Sequence, residues 1–176
     1  MEIRLRDLEV KDAPLMLEWM HDPEIQKAFE KDFMNYKAED VERFCSESKN
    51  TGLVNSGDCV HYAIVDSDDE YLGTISLKDY DSTARSAKYA IATRSFVHGK
   101  GVAAAATRML LDKAFGEWDL NKVYMTVVES NLRAIKFYEK CGFVRERFIE
   151  NHFVKDGKLV NQYVYGMLKD DYDQRR

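Results

Sequence analysis

Residues 97–118 read VHGKGVAAAATRMLLDKAFGEW. Val102, Ala105, Ala106, Met109, Leu110 and Phe115 recur in it at the spacing of one helical face. This is the longest helix the chain predicts. Ahead of it, Gly99 and Gly101 flank Lys100 between a strand and the helix. Glycines let a backbone approach a ligand closely, and the unpaired N–H groups of a first helical turn favour an anion, above all a phosphate or pyrophosphate. Ala103, Ala104, Ala105 and Ala106 present little bulk at that mouth. A close-lying ligand needs this, and so does tight helix–sheet packing.

Three strand-like runs precede the segment: CVHYAIVD (59–66), YLGTISLKDY (71–80) and SAKYAIAT (86–93). The short polar turns between them suit hairpins, so an antiparallel meander is the simplest reading. After the helix, KVYMTVVE (122–129) is a near-continuous apolar strand, which suits burial on both faces. A strand–helix–strand crossover favours parallel pairing, which makes the sheet mixed. Asn131 is placed to cap the helix LRAIKFYEKC and Gly142 to end it. FVRERFIENHFV and LVNQYVYGML, joined by KDGK, form a closing hairpin. Near the start, IRLRDL alternates as a strand, Asp12 and Asp22-Pro23 open two short helices, and AEDVERFCSES predicts a third. The class is α+β, helices flanking one mixed, mostly antiparallel sheet.

Composition bounds the function. The chain has 176 residues, 45% of them hydrophobic, and no Gly/Ser-rich linker or repeat, which predicts a single domain over residues 1–176. Its 26 Lys+Arg and 31 Asp+Glu give a net charge of -5, which fits neither a disordered polyelectrolyte nor a wholly basic nucleic-acid binder. No apolar run approaches the roughly 20 residues that span a bilayer. The opening MEIRLRDLEVKD lacks a signal-peptide core, so a cytoplasmic protein without nucleic-acid or membrane partners is expected. Cys45, Cys59 and Cys141 are too scattered for a disulfide frame and read as thiols. The four histidines lack metal-ligand spacing, and no metal is expected.

Three phosphate-binding patterns compete for HGKGVAAA. The Walker loop fails for want of G-K-S/T. The dinucleotide fingerprint G-x-G-x-x-G/A is met by Gly99, Gly101 and Ala104, with Glu129 where a ribose-binding acid could sit. However, antiparallel strands surround it where a Rossmann unit has alternating strands and helices. The third pattern is Q/R-x-x-G-x-G/A, the coenzyme A loop of the GNAT acetyltransferases, which the chain resembles through His98, Gly101 and Ala103. A second block, NLRAIKFYEKCGF, is similar to that family's N-x-x-A-x-x-x-Y-x-x-x-G-F motif through Asn131, Ala134, Tyr138, Gly142 and Phe143. The opening LRDLEVKDAPLMLEWMHDPEI resembles the RimJ/RimL branch.

The resemblance implies a GNAT fold whose sheet splays around an acetyl-CoA cleft. His98, Gly99, Lys100, Gly101, Val102, Ala103, Ala104 and Asn131 would hold the cosubstrate. It implies acetyl transfer to a primary amine (a protein N-terminus, a polyamine or an amino sugar) by direct attack, with Tyr138 donating a proton to the departing thiolate. A phenol, of pKa about 10, is a donor at neutral pH. Deprotonating a lysine-like amine costs about 4.6 kcal/mol at pH 7, so a base should help, and Glu129 at its strand end is the candidate. His61, which titrates near neutrality when unperturbed, also reads as a partnered structural residue. Two positions depart from the family: Lys88 stands where relatives often carry a glutamate, and His98 replaces the loop's Gln or Arg. Trp19, Phe29, Phe33 and Tyr36 would wall the acceptor site by family likeness or simply be core. Cys141 has no evident base and is given a packing role. A dinucleotide-binding protein and an acyl-CoA-sensing module are the alternative readings. The terminal hairpin offers an edge for a homodimer.

Overall fold

The computed structural model describes residues 1–175. The chain runs β1 (Ile3–Asp7), α1 (Ala13–Met20), α2 (Pro23–Gln26), α3 (Ala38–Glu47), β2 (Val60–Asp66), β3 (Tyr71–Asp81) and β4 (Ser86–Thr93). It continues with α4 (Val102–Asp112), β5 (Lys122–Val128), α5 (Leu132–Cys141), β6 (Val144–Lys155), β7 (Lys158–Leu168) and α6 (Lys169–Asp173). Among the described residues the strands form one seven-stranded sheet ordered β1-β2-β3-β4-β5-β7-β6. Every neighbouring pair is antiparallel except β4 and β5, the two joined through α4. The mixed α+β sheet read from the sequence is present, and the closing hairpin turns on Asp156-Gly157, both at positive φ.

Side-chain alternation sorts the sheet into two faces. Tyr62, Ile64, Ile75, Leu77, Val123 and Met125 pack beneath α4 and α5 on Val102, Ala106, Leu110 and Ile135. On the other face Ala63, Val65, Tyr71 and Ala92 meet Met16, Trp19 and Met20 of α1 and Val41 and Cys45 of α3. The buried stripe of α4 adds Thr107, whose hydroxyl lies 2.7 Å from both the Tyr89 hydroxyl and the Ala103 carbonyl. Ala105 and Met109, which share the helical spacing in sequence, face solvent. The helix ends at Asp112 and passes into a single π-turn over Lys113–Glu117, a widening of the ladder that the sequence reading ran through unbroken.

The two-faced burial expected for β5 needs correction. Val123, Met125 and Val127 are buried, whereas Lys122, Tyr124 and Thr126 are only half-buried, because the helices cover one face of this strand more completely than the other. Asp22 caps α2 as expected, accepting from the Glu24 amide at 2.9 Å. Asp12 precedes α1, but its carboxylate turns away from that helix. It accepts from the Glu9 amide at 2.9 Å and from both terminal nitrogens of Arg6 at 2.7 and 2.8 Å, closing the turn between β1 and α1. Asp12 is 1% exposed, so this two-pronged pair is a buried link between the first strand and the first helix. Arg6 also donates from Nε to Asp69 at 2.9 Å, so losing Asp12 removes one of the two carboxylates bonded to the guanidinium. Asp12→Ala is therefore expected to lower unfolding free energy by about 1–3 kcal/mol in urea titrations.

Candidate active site

The site begins where pairing stops. Strands β4 and β5 pair only over Ser86–Lys88 against Lys122–Tyr124. Beyond that, β4 stays with β3 and β5 stays with β7. The sheet therefore opens into a wedge between residues 89–93 and 125–128. Gly73 keeps β3 against β4 along the wedge, since a Cβ there would fall on the Ala92 carbonyl oxygen.

Helix α4 starts just past the end of β4, and α5 just past the end of β5, so both N-termini lie at the open end of the wedge. Gly101 is the N-cap residue of α4 at φ +79°, a left-handed conformation that its lack of a Cβ permits. Among the described residues, the amides of Gly99, Gly101, Val102, Ala103 and Ala104 donate to no protein acceptor, whereas Ala105 returns to Gly101 at 3.0 Å. The His98 ring bridges the two helix starts. Its Nε2 lies 3.3 Å from the Thr93 carbonyl and its Nδ1 3.0 Å from the Arg133 guanidinium, which makes Nε2–H the donor and Nδ1 the acceptor. Burial first, and Arg133 second, push the His98 pKa down. Arg133 and the exposed Lys100, which lies over the Phe96 ring at 5.4 Å, add positive charge to the donors. Asn131 caps α5 through its side chain, which accepts from the Ala134 amide at 3.2 Å.

Tyr138 projects from α5 to the apex of the wedge. Its ring meets Tyr89, the first β4 residue past the paired stretch, edge-on at 6.0 Å, and Phe143 at 6.1 Å. The hydroxyl bonds no acceptor among the described residues and is not sealed from the exterior. Burial pushes its pKa up, so the phenol stays protonated at neutral pH. Glu129 lies one residue past the end of β5 and is tied to β7, its carboxylate accepting from Asn161 at 2.9 Å and Tyr163 at 3.4 Å. Cys141 is partly buried, and its thiol pKa is raised by that burial, which suits packing and not nucleophilic attack.

Across the sheet from α4 and α5 lies a cavity of about 240 Å³. Trp19, Phe29, Phe33 and Tyr36 form its aromatic wall, and alternate residues of β2–β4 (His61, Thr74, Ser76, Lys78, Ala90, Ala92) form its floor. Trp19 is both wall and core: it is buried and donates from Nε1 to the Tyr71 hydroxyl at 2.9 Å. The Phe29 ring stacks on Trp19 at 6.0 Å and the Phe33 ring meets it edge-on at 5.7 Å. His61 lies 2.7 Å from the Ser76 hydroxyl, with its pKa pushed down to about 4 chiefly by burial. Ala90 and Ala92 belong to the β4 stretch that borders the wedge, so cavity and wedge meet there.

The residues fit a diphosphate carrier. The five unpaired amides, the small side chains after them and two adjacent cations suit an anion. The Oε1 of Gln162, which pairs with Val128 beside the wedge, is a buried acceptor without a partner among the described residues. Sequence reasoning missed Arg133 and Gln162. Arg133 lies two residues from the flagged Asn131 and that proximity was the only available signal, while the position of Gln162 depends on the order of β5, β7 and β6.

A splayed mixed sheet with phosphate-type donors at its mouth can seat the diphosphate of an acyl carrier, as an acyltransferase must. The chain belongs to the GNAT acetyltransferase family, whose fold uses acetyl-CoA: residues 2–144 match the family model described as an acetyltransferase (GNAT) domain. It is 25% identical over 177 residues to the uncharacterized N-acetyltransferase p20 of Bacillus licheniformis, covering 97% of this chain and 94% of that one. It is 30% identical over 114 residues to the spermidine N(1)-acetyltransferase of Vibrio cholerae, covering 65% of this chain and 66% of that one. The fold superposes on a spermidine N-acetyltransferase from Vibrio cholerae in complex with CoA and spermine, with a TM-score of 0.85, 22% identity and 97% of both chains covered. These relatives do not single out a RimJ/RimL branch. No described helix is long and apolar enough to cross a membrane.

His61 also sets a pH dependence. Its folded pKa of about 4 lies below the unfolded value of about 6.5, so between the two the unfolded chain binds more protons. Its contribution to stability is complete above about 6.5 and is lost as pH falls toward about 4, by up to about 3 kcal/mol. Denaturation midpoints measured across this window are expected to fall with pH, and His61→Asn is expected to flatten that decline.

Proposed function

We propose that the chain is a single-domain, cytoplasmic, RimJ/RimL-like N-acetyltransferase. It moves an acetyl group from acetyl-CoA to a primary amine by direct attack, without an acyl-enzyme. The observation that carries this reading is the set of unpaired amides over Gly99–Ala104 at the mouth of a wedge whose apex holds a free tyrosine hydroxyl. When bound, acetyl-CoA supplies an activated thioester carbonyl. The amides of Gly99, Gly101, Val102, Ala103 and Ala104 would hold its diphosphate, with Lys100 and Arg133 adding charge, His98 bracing the loop and Asn131 holding the start of α5.

Tyr138 is the proposed proton donor. Its raised pKa keeps the proton on the oxygen until a thiolate needs it. Glu129 is the proposed proton acceptor, acting through solvent, since its carboxylate spends two acceptor positions on Asn161 and Tyr163 and retains others. The aromatic-walled cavity across the sheet is the proposed acceptor pocket, and a homodimer through the terminal hairpin remains part of the reading.

Tyr138→Phe removes one oxygen and keeps the ring packing. It is expected to lower kcat by about 10²-fold while leaving the affinity for CoA unchanged, measured by thiol release and by calorimetry. Unchanged kcat would remove Tyr138 from the mechanism. Glu129→Gln is expected to lower kcat by about 10²-fold in thiol release while leaving the affinity for CoA unchanged. An unchanged kcat would assign the proton elsewhere.

A further inference from the structure

The acceptor pocket carries uncompensated positive charge. Lys78 and Lys88 are direct cross-strand partners in β3 and β4, on the same face as the pocket floor. Like charges placed opposite one another on neighbouring strands are destabilising, and here they persist at a half-buried position. Lys31 lines the same pocket from the other side, its ammonium 5.1 Å from the Tyr36 ring and 5.9 Å from the Phe33 ring. Among the described residues none of the three lysines has an ion-pair partner.

Among the described residues no carboxylate lines the pocket, while hydroxyls, a neutral imidazole, aromatic rings and aliphatic carbon do. Asp79, in the bulged part of β3, acts on Lys78 only at longer range. Asp40 and Glu47 line an adjoining groove that shares Tyr36 and Phe44 with the pocket, and Asp40 is already engaged by Arg43 and by the Lys37 amide. Within the pocket itself a polycation would meet cations and no acid among the lining residues. A carboxylate would relieve the Lys78–Lys88 repulsion.

Building on the N-acetyltransferase reading, we infer that the acceptor is a primary amine borne on an apolar or aromatic body that also carries a carboxylate, received by Lys78 and Lys88 with Lys31 at the rim. Polyamines are poor acceptors for this chain. The carboxylate fits better than a larger polyanion because the remaining walls carry no further cation and are mostly aromatic rings and aliphatic carbon. Reading the acceptor through a charged hydrogen bond is worth about ten-fold or more in discrimination.

The test compares L-phenylalanine, L-phenylalaninamide, which has the same body without the carboxylate, and spermidine. Two readouts are used: thiol release with acetyl-CoA, and calorimetric binding to the enzyme saturated with CoA. Phenylalanine is expected to exceed its amide by about ten-fold or more in both, with spermidine weakest. Lys78→Met, similar in length and uncharged, is expected to fold at least as stably, to bind CoA as before, and to narrow the difference between phenylalanine and its amide several-fold. Spermidine preferred over phenylalanine, no binding of phenylalanine, or an unchanged ratio in Lys78→Met would each overturn the inference. Selective binding of phenylalanine without turnover of any amine would uphold the pocket's charge preference and overturn the transferase reading. Efficient acetylation of spermidine alone would do the reverse.

Discussion

Two adjacent parallel strands pair for three residues and then part, and the chemistry of this chain depends on that separation. While β4 and β5 are bonded, at Ser86–Lys88 and Lys122–Tyr124, they are an ordinary piece of sheet. Once they diverge, each keeps its outer neighbour and leaves its inner edge without a strand partner. An unpaired sheet edge is costly to bury and open to anything that can supply hydrogen bonds. An extended arm with its own amides, such as that of the proposed cosubstrate, would meet that requirement.

The two helices that follow β4 and β5 turn this gap into a polarised site. Each begins at the same end of the wedge, and His98 and Arg133 join the two starts through a hydrogen bond. Donor groups thus gather at the mouth and an unbonded phenol at the apex, separated by the length of strand over which the sheet is open. The opposite face contributes differently. There α1–α3 fold over β2–β4 to make an aromatic cavity that touches the same stretch of β4. Trp19 shows how closely core and pocket are merged: one ring seals the second hydrophobic cluster and walls the cavity. The cavity's lysines give the proposed acceptor pocket an electrostatic character that the fold alone does not impose.

The electrostatics of the two sites follow burial more than proximity. His61, Cys141 and Tyr138 all shift toward their neutral forms chiefly because burial disfavours charge. Tyr138 therefore stays protonated, and His61 stays neutral, at neutral pH. The Arg6–Asp12 pair is the opposite case, two charges kept buried because they bond each other and further partners, Asp69 and the Asp7 carbonyl for Arg6 and the Glu9 amide for Asp12, and it secures the segment from which the cavity wall is built.

Much of this was legible along the chain because it rests on local rules. Helix caps at Asp22 and Asn131, the left-handed end at Gly142, the hairpin turn at Asp156-Gly157, and the glycine-bracketed start of α4 each depend on a few consecutive residues. The meander and the crossover follow from alternation and connection length. What sequence could not decide was spatial. Asp12 chose Arg6 over the helix it precedes, and Ala105 and Met109 fell outside the buried stripe. Arg133 and Gln162 arrived beside the wedge, and Lys78 came to face Lys88. Each of these depends on register and packing between segments far apart in the chain, where a shift of one residue reverses which face a side chain occupies, and only the assembled sheet sets that register.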